Sequence, residues 1–389
     1  MKKNTLYVVT AIDTEGLIDD PAKPDILNSW AKVDGLADRL FSEDFRFKVK
    51  DKEGNGIIMS WFILTLSGFL TNPFNRPMGY HKIYDHYINR YGKDMAQHGD
   101  GVYWHYHQPA KSGKANEWSA DWIFTNEYDN ILARLLIERK FFPSCFRAGG
   151  RIENDDTSGW LEEIIPFDYS CCSGNINWDN IESDGRALRE VCDWSSAPAD
   201  WSWYHPDKDN YQLAGDQKRY MFRCPDLASP VHTMTDKEII MAFERTSAGQ
   251  DTIISFFEHD RRNNAVDKLL DIYNRIEVIG DSYPNVIWRY ANAQEAAVSV
   301  TGLPKLEQLS FDIDKRENNQ ILVSANQSIL SRMPFVAVAS ADNSACYRSG
   351  LVVIGKNKWL TNPLPDDISQ VGVAAVGISG EQGLNIYSV

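Results

Sequence analysis

Along the first three hundred residues, short runs of β-forming residues alternate with longer stretches of helical period. Leu6–Ile12 is the first run, and Ile57–Leu66, Val102–His107, Ser144–Arg147, Phe167–Ser170, Tyr220–Arg223, Thr252–Phe257 and Val286–Tyr290 follow it. Such runs predict strands. Between them, Tyr80–Gln97 places Ile83, Tyr84, Tyr87, Ile88 and Tyr91 on one helix face. Trp122–Lys140 does the same with Ile123, Ile131, Leu132, Leu135 and Leu136, and Val266–Ile279 with Leu269, Leu270, Ile272, Tyr273 and Ile276. Strands that alternate with helices imply parallel strands joined by crossovers. Seven or eight such strands suggest an α/β fold closed into a (β/α) barrel, and an open doubly wound sheet is the rival.

The pattern changes near Thr301-Gly302-Leu303-Pro304. Beyond it, Gln308–Ile313, Gln320–Ala325, Phe335–Ala339, Gly350–Ile354, Val371–Ile378 and Leu384–Val389 read as strands separated by Asn, Asp, Gly and Pro turns. The expected division is a barrel over 1–302 and a small β-sandwich-like domain over 303–389. No repeat of solenoid type interrupts either part.

Charge narrows the function classes. Asp and Glu number 54 against 40 Lys and Arg, a net charge of −14, so the chain lacks the basic footprint of a nucleic-acid or anionic-membrane binder. The most apolar stretch, Ile57 to Leu70, is broken by Ser60, Thr65 and Ser67 and is too short to span a bilayer. Met1-Lys2-Lys3-Asn4 resembles the front of a signal peptide, but the apolar run after it ends in Asp13 and Glu15 without a small-residue cleavage site. A cytoplasmic protein is expected. Six cysteines without a Cys-x-x-Cys pair argue for reduced thiols, against a disulfide framework or a zinc ribbon.

Four strand ends carry candidate chemistry. In Asp13-Thr14-Glu15, two carboxylates two residues apart share a face of an extended chain and could converge on one point, where like charges need a cation or a shared proton. A solvated turn hinged at Gly16 is the plain alternative. His105 and His107 have the same spacing, and imidazoles join carboxylates around metals such as zinc. The alternative is one core histidine and one loop histidine; His98, at a helix end, is a competitor. Arg147, before Ala148-Gly149-Gly150, could grip a carboxylate with two donors or form an ordinary ion pair. His259, between Glu258 and Asp260, suits a proton donor near neutral pH or a structural role. All four lie at the carboxyl ends of predicted strands, where α/β folds assemble active sites.

In this order the motifs resemble the polysaccharide deacetylases of the NodB homology fold, carbohydrate esterase family 4. Phe146-Arg147-Ala148-Gly149, followed by Trp160-Leu161 and Asp168-Tyr169-Ser170, looks like the branch with a Phe-Arg-Ala-Gly arginine motif. The resemblance covers about residues 5–295. It implies an irregular seven-stranded barrel that removes acetyl groups from N-acetylated sugars. It further implies Asp13 as the base that activates the attacking water, and Glu15, His105 and His107 as ligands of a divalent metal, expected to be zinc. Arg147 would orient Asp13, and His259 would protonate the leaving amine. The expected partner is an acetylated sugar or glycan, an intermediate of surface-polysaccharide assembly linked to a nucleotide or a lipid.

Two departures stand against that pattern. The family's histidines are usually four residues apart, whereas here they are two apart and the next candidate position is Pro109; the acidic motif is Asp-x-Glu where adjacent aspartates are commoner. A catalytically lapsed carbohydrate-binding protein on the same scaffold is therefore the alternative, and a changed scissile bond, another amide or an ester, is a third. Asp193-Trp194 and Asp200-Trp201 both match the family's Asp-Trp motif. Trp104, Trp160, Trp178, Trp194, Trp201 and Trp203 fall in or near predicted mouth loops, where indole faces could stack on sugar rings or pack in the core.

Overall fold

A computed structural model describes residues 4–122, 125–174, 193–227 and 234–389. Eight parallel strands form the first sheet: β1 Asn4–Thr14, β2 Met59–Thr65, β3 Gly101–Tyr106, β4 Cys145–Ala148, β5 Phe167–Cys171, β6 Tyr220–Arg223, β7 Thr252–His259 and β8 Val286–Tyr290. Their order is β6-β5-β4-β3-β2-β1-β7, with β8 pairing β1 off that path. β1 is long enough to pair with β8 over Asn4–Val8 and with β2 over Thr10–Thr14, while β7 lies along its other edge. Past β6, Phe257 of β7 donates to Pro225 O at 2.9 Å and accepts from Leu227 N at 3.1 Å. Seven parallel strands thus form a nearly closed barrel, and the open-sheet rival is set aside.

Because strand residues alternate in direction, each strand feeds two cores. Leu6, Val8 and Ile12 point outward and join Val33, Leu36 and Leu40 of the helix Trp30–Phe41, Tyr87 of Lys82–His98, and Leu269 and Ile272 of Ala265–Gly280. Val9 and Ala11 belong to a second cluster with Phe62, Tyr103, Cys145, Phe167, Tyr169, Phe222 and Phe257, which fills the barrel. Burying each aromatic there contributes roughly 1.5–3 kcal/mol. The positions two residues further along four of these strands are Asp13, His105, Arg147 and His259, so a polar layer caps an apolar plug.

The helix expected over Trp122–Lys140 spans Glu127–Arg139. Trp122 is apolar for another reason: it packs edge-on against Trp104, at 6.4 Å, and against Phe146. Ile123 lies outside the described residues. Among the described residues five helices lacked an expectation, Trp30–Phe41, Glu43–Arg46, Asp155–Ile164, Asp236–Ser247 and Ala293–Thr301. Two of them begin with reciprocal caps, Asn154 with Thr157 and Thr235 with Glu238. Thr-x-x-Glu at the second was a readable start signal.

After Gly302 the chain builds two four-stranded antiparallel sheets, β13-β14-β10-β9 and β12-β11-β15-β16. Their strands are β9 Phe311–Lys315, β10 Ile321–Ala325, β11 Phe335–Ser340, β12 Cys346–Arg348, β13 Leu351–Gly355, β14 Lys358–Thr361, β15 Ile368–Val376 and β16 Gln382–Ser388. Val323 of the first and Val336, Val338, Val371 and Val373 of the second share one core. The short strands β12 and β14 escaped the pattern, having too few residues to show a period. The opposite parity of β11 and β15, Phe335, Ala337 and Ala374, packs on Leu132, Leu135 and Leu136 of the helix Glu127–Arg139. No helix among the described residues is long and apolar enough to cross a membrane.

Candidate metal centre

Asp13 and Arg147 meet at the top of the plug. Arg147 Nε donates to Asp13 Oδ1 at 2.7 Å and Nη2 donates to Oδ2 at 3.1 Å. The guanidinium is fully buried, lies over the Phe257 ring at 3.9 Å and donates to Tyr169 O at 2.5 Å. Burial pushes the Asp13 carboxyl up, but Arg147 and His105 outweigh it and hold the group below the usual carboxylate range. Asp13 is thus an ionised carboxylate with a fixed rotamer.

Glu15 and the two histidines form a second group. His105 Nδ1 lies 2.9 Å from Arg147 O, a carbonyl that can only accept. Its proton therefore sits on Nδ1, and Nε2 presents a lone pair. His105 Nε2 and His107 Nε2 are 3.0 Å apart, and each is 3.8 Å from Glu15 Oε1. A point equidistant from three atoms so spaced is about 2.1 Å from each, a zinc–ligand distance. Glu15, His105 and His107 are all buried and could hold a metal ion. Burial lowers the His107 pKa well below its ordinary value, with only partial relief from Glu15, so the ring stays neutral as a ligand must. Glu15 is ionised: burial raises its pKa, but Arg261, His105, His259 and Arg76 carry it well below the ordinary value.

Two glycines seat this group. A Cβ added at Gly149 would overlap the His107 imidazole, and one at Gly150, where φ is +61°, would overlap the Trp118 indole. Trp118 stands edge-on to His107 with ring centroids 4.5 Å apart. The small-residue turn after Arg147 is therefore the floor on which the second histidine lies.

No family model matches the chain, and no curated protein does. The site thus stands on its own geometry.

His259 Nε2 lies 3.3 Å from Glu15 Oε1, next to the three-residue group but outside it. Its Nδ1 is buried with no hydrogen-bond partner, 3.8 Å from Glu258 Oε1. Asp260 accepts from Glu15 N and Gly16 N, each at 2.9 Å, and from Tyr87 Oη at 2.7 Å. That carboxylate fixes the backbone that carries Glu15.

All six residues expected at the site thus lie close together. Other neighbours went unread in the sequence: Arg76 and Arg261 on Glu15 Oε2, at 2.6 and 3.2 Å, and Trp118; Asp260 was read only as an acidic neighbour of His259. Arg76 and Trp118 sit in loops whose course no local period signals; Arg261 lies two residues past His259 and was close enough to be noticed. His98 ends its helix on the far side from the group, at the amino end of β3. Trp104 and Trp160 pack in the outer core, Trp194 is fully buried and donates to Arg151 O, and Trp201 donates to Glu238 O. These four indoles are structural; Trp203 is half-buried against His205 and Tyr220. Trp178 and Cys192 lie outside the described residues. Asp193 and Asp200 are both exposed, and each accepts from a backbone N–H two residues ahead, that of Ser195 and of Ser202. Cys145, Cys171, Cys224 and Cys346 are buried free thiols.

Proposed function

We propose that this protein is a metal-dependent hydrolase that removes an N-acetyl group from a sugar, as the resemblance to polysaccharide deacetylases implies. The observation that carries the reading is the spacing of Glu15 Oε1, His105 Nε2 and His107 Nε2 around one point, with the ionised Asp13 Oδ2 4.0 Å from His105 Nε2. The two-residue histidine spacing suits this geometry: β3 aims His105 into the barrel, and His107, one residue past the end of β3, brings its Nε2 within 3.0 Å of that of His105. A zinc ion held there would polarise the acetyl carbonyl and acidify a water molecule. Asp13 takes the proton of the attacking water, while Arg147 holds its carboxylate in place. His259 Nε2 gives a proton to the departing amine as the C–N bond breaks, leaving acetate and the free amine.

One observation favours the second reading, a lapsed scaffold that binds glycan without cleaving it: both Asp13 oxygens are engaged by Arg147, which weakens the carboxylate as a base. Metal analysis and acetate release from a panel of N-acetylated sugars, run beside simple esters, decide between them. The expected result is about one equivalent of metal per chain, acetate release that chelator abolishes, and at least a hundredfold loss of rate in Asp13→Asn with metal retained. Metal and glycan binding without acetate release would favour the lapsed scaffold. Unchanged release by Asp13→Asn would overturn the mechanism.

A further inference from the structure

Arg76 and Arg261 share a single oxygen of Glu15. Arg76 Nη2 donates to Oε2 at 2.6 Å, and Arg261 Nη2 stands 3.2 Å from the same atom. Two guanidiniums side by side in a buried place repel each other, and one carboxylate oxygen cannot satisfy both. Arg76 Nε, Arg261 Nε and Arg261 Nη1 are buried without hydrogen-bond partners. The arrangement is built rather than incidental. Asn72 clamps the Arg76 backbone from both sides, accepting from its N–H at 2.9 Å and donating to its carbonyl at 2.8 Å. Leu27 N fixes the Arg261 carbonyl at 2.7 Å. The Arg76 side chain is 1 % exposed and that of Arg261 13 %, so Arg261 is the member reached from the mouth.

Charge points the same way: a divalent cation at the Glu15, His105 and His107 group would add positive charge beside two buried guanidiniums, in a place where unpaired charge is costly.

We propose that Arg76 and Arg261 form a subsite for an anionic oxygen group of the substrate, a phosphate or a carboxylate, so that the substrate is an acidic sugar derivative. This rests on the metal-hydrolase reading for its place beside the cation. Oε1 of Glu15 faces the histidines and Oε2 faces the arginines, so the Glu15 carboxylate stands between the cation group and the anion subsite, and the two adjoin. A sugar with phosphate on the carbon next to its acetamide brings the two groups that close together.

Calorimetric titration of the metal-loaded protein with N-acetylglucosamine 1-phosphate, with glucuronate and with neutral N-acetylglucosamine tests this. At least one anion is expected to bind ten times or more tighter than the neutral sugar, with an affinity that falls as salt is added. Whichever anion binds identifies the source of the charge. Arg261→Gln is expected to lose at least tenfold in anion affinity with metal content unchanged, and Arg261→Lys to recover part of it. Equal affinity for the neutral sugar would overturn the proposal. So would an Arg261→Gln protein that loses metal and keeps its anion affinity, because the arginine would then only position Glu15. If Arg261→Gln does not fold, the anion-to-neutral ratio of the wild-type protein and the Arg261→Lys titration still decide. Anion binding by a chain that takes up no metal would leave the subsite standing and remove the hydrolase reading instead.

Discussion

Gly149 shows how much a single residue can decide at this site. His107 reaches Glu15 because nothing projects from the backbone beneath its ring. Gly149→Ala puts a methyl group where the imidazole lies, so either the ring tilts out or the β4 turn shifts. Overpacking of this kind costs about 1–3 kcal/mol. The expected outcome is a folded protein with a lowered melting temperature and a loss of most bound metal, read by elemental analysis after dialysis. Normal metal content in Gly149→Ala would show that the turn, and not the ring, gives way. At this scale the sequence was informative about Asp13, Glu15, His105, His107, Arg147 and His259, because residue type and a spacing of two carry both chemistry and direction. It was silent on the seat of His107. A glycine required by a ring folded over it from another strand leaves no trace in local pattern.

Between elements, the turn ahead of the helix Asp155–Ile164, the strand β5 and the segment before β6 are tied by buried charge. Arg219 pairs with Asp168 and with Glu153, and donates to Ser158 Oγ at 2.7 Å. Two carboxylates on one guanidinium cannot both ionise cheaply. Burial and the Asp168 charge push the Glu153 pKa up to about 8, against the pull of Arg219. A carboxyl whose folded pKa is raised favours the folded state fully below its unfolded value of about 4.3, and that contribution is lost as pH rises through the folded value. The wild-type protein is therefore expected to lose thermal stability between about pH 4.5 and pH 8. Glu153→Gln should flatten that slope and melt higher than the wild type at pH 8. Parallel melting curves of the two proteins across this range would show that Glu153 stays ionised. The sequence named Asp168 only as part of a motif string. Its partners come from 15 residues before it and 51 after it, and only the closing of the barrel edge brings them together.

Across the whole molecule, the sheet β12-β11-β15-β16 shares an apolar face with the barrel through the helix Glu127–Arg139. Phe142 lies 5.7 Å from Phe335, centroid to centroid, and a Cβ added at Gly372 would sit 3.0 Å from Leu136 Cγ. A face this apolar couples the two parts. Differential scanning calorimetry of the intact chain should therefore give one transition, and Gly372→Val should lower its midpoint by about 1 °C for each kcal/mol that the interface loses. Two separate transitions in the wild-type protein would mean that the parts unfold independently.

The sequence by itself determined the alternation of strands and helices, the parallel barrel that follows from it, the change to antiparallel strands after residue 302, and the parity that turns Asp13, His105 and Arg147 inward. All of these are local: they need only a period of two or of about 3.6 and the residue types that hold it. Tertiary structure alone decided that Glu15 is held between histidines on one oxygen and arginines on the other, that Trp118 rather than the tryptophans near the motifs touches the site, and that one face of β11 and β15 closes over a barrel helix. Those outcomes depend on which loops meet at the barrel mouth. Closing the sheet fixes that in three dimensions, and no short window of the chain encodes it.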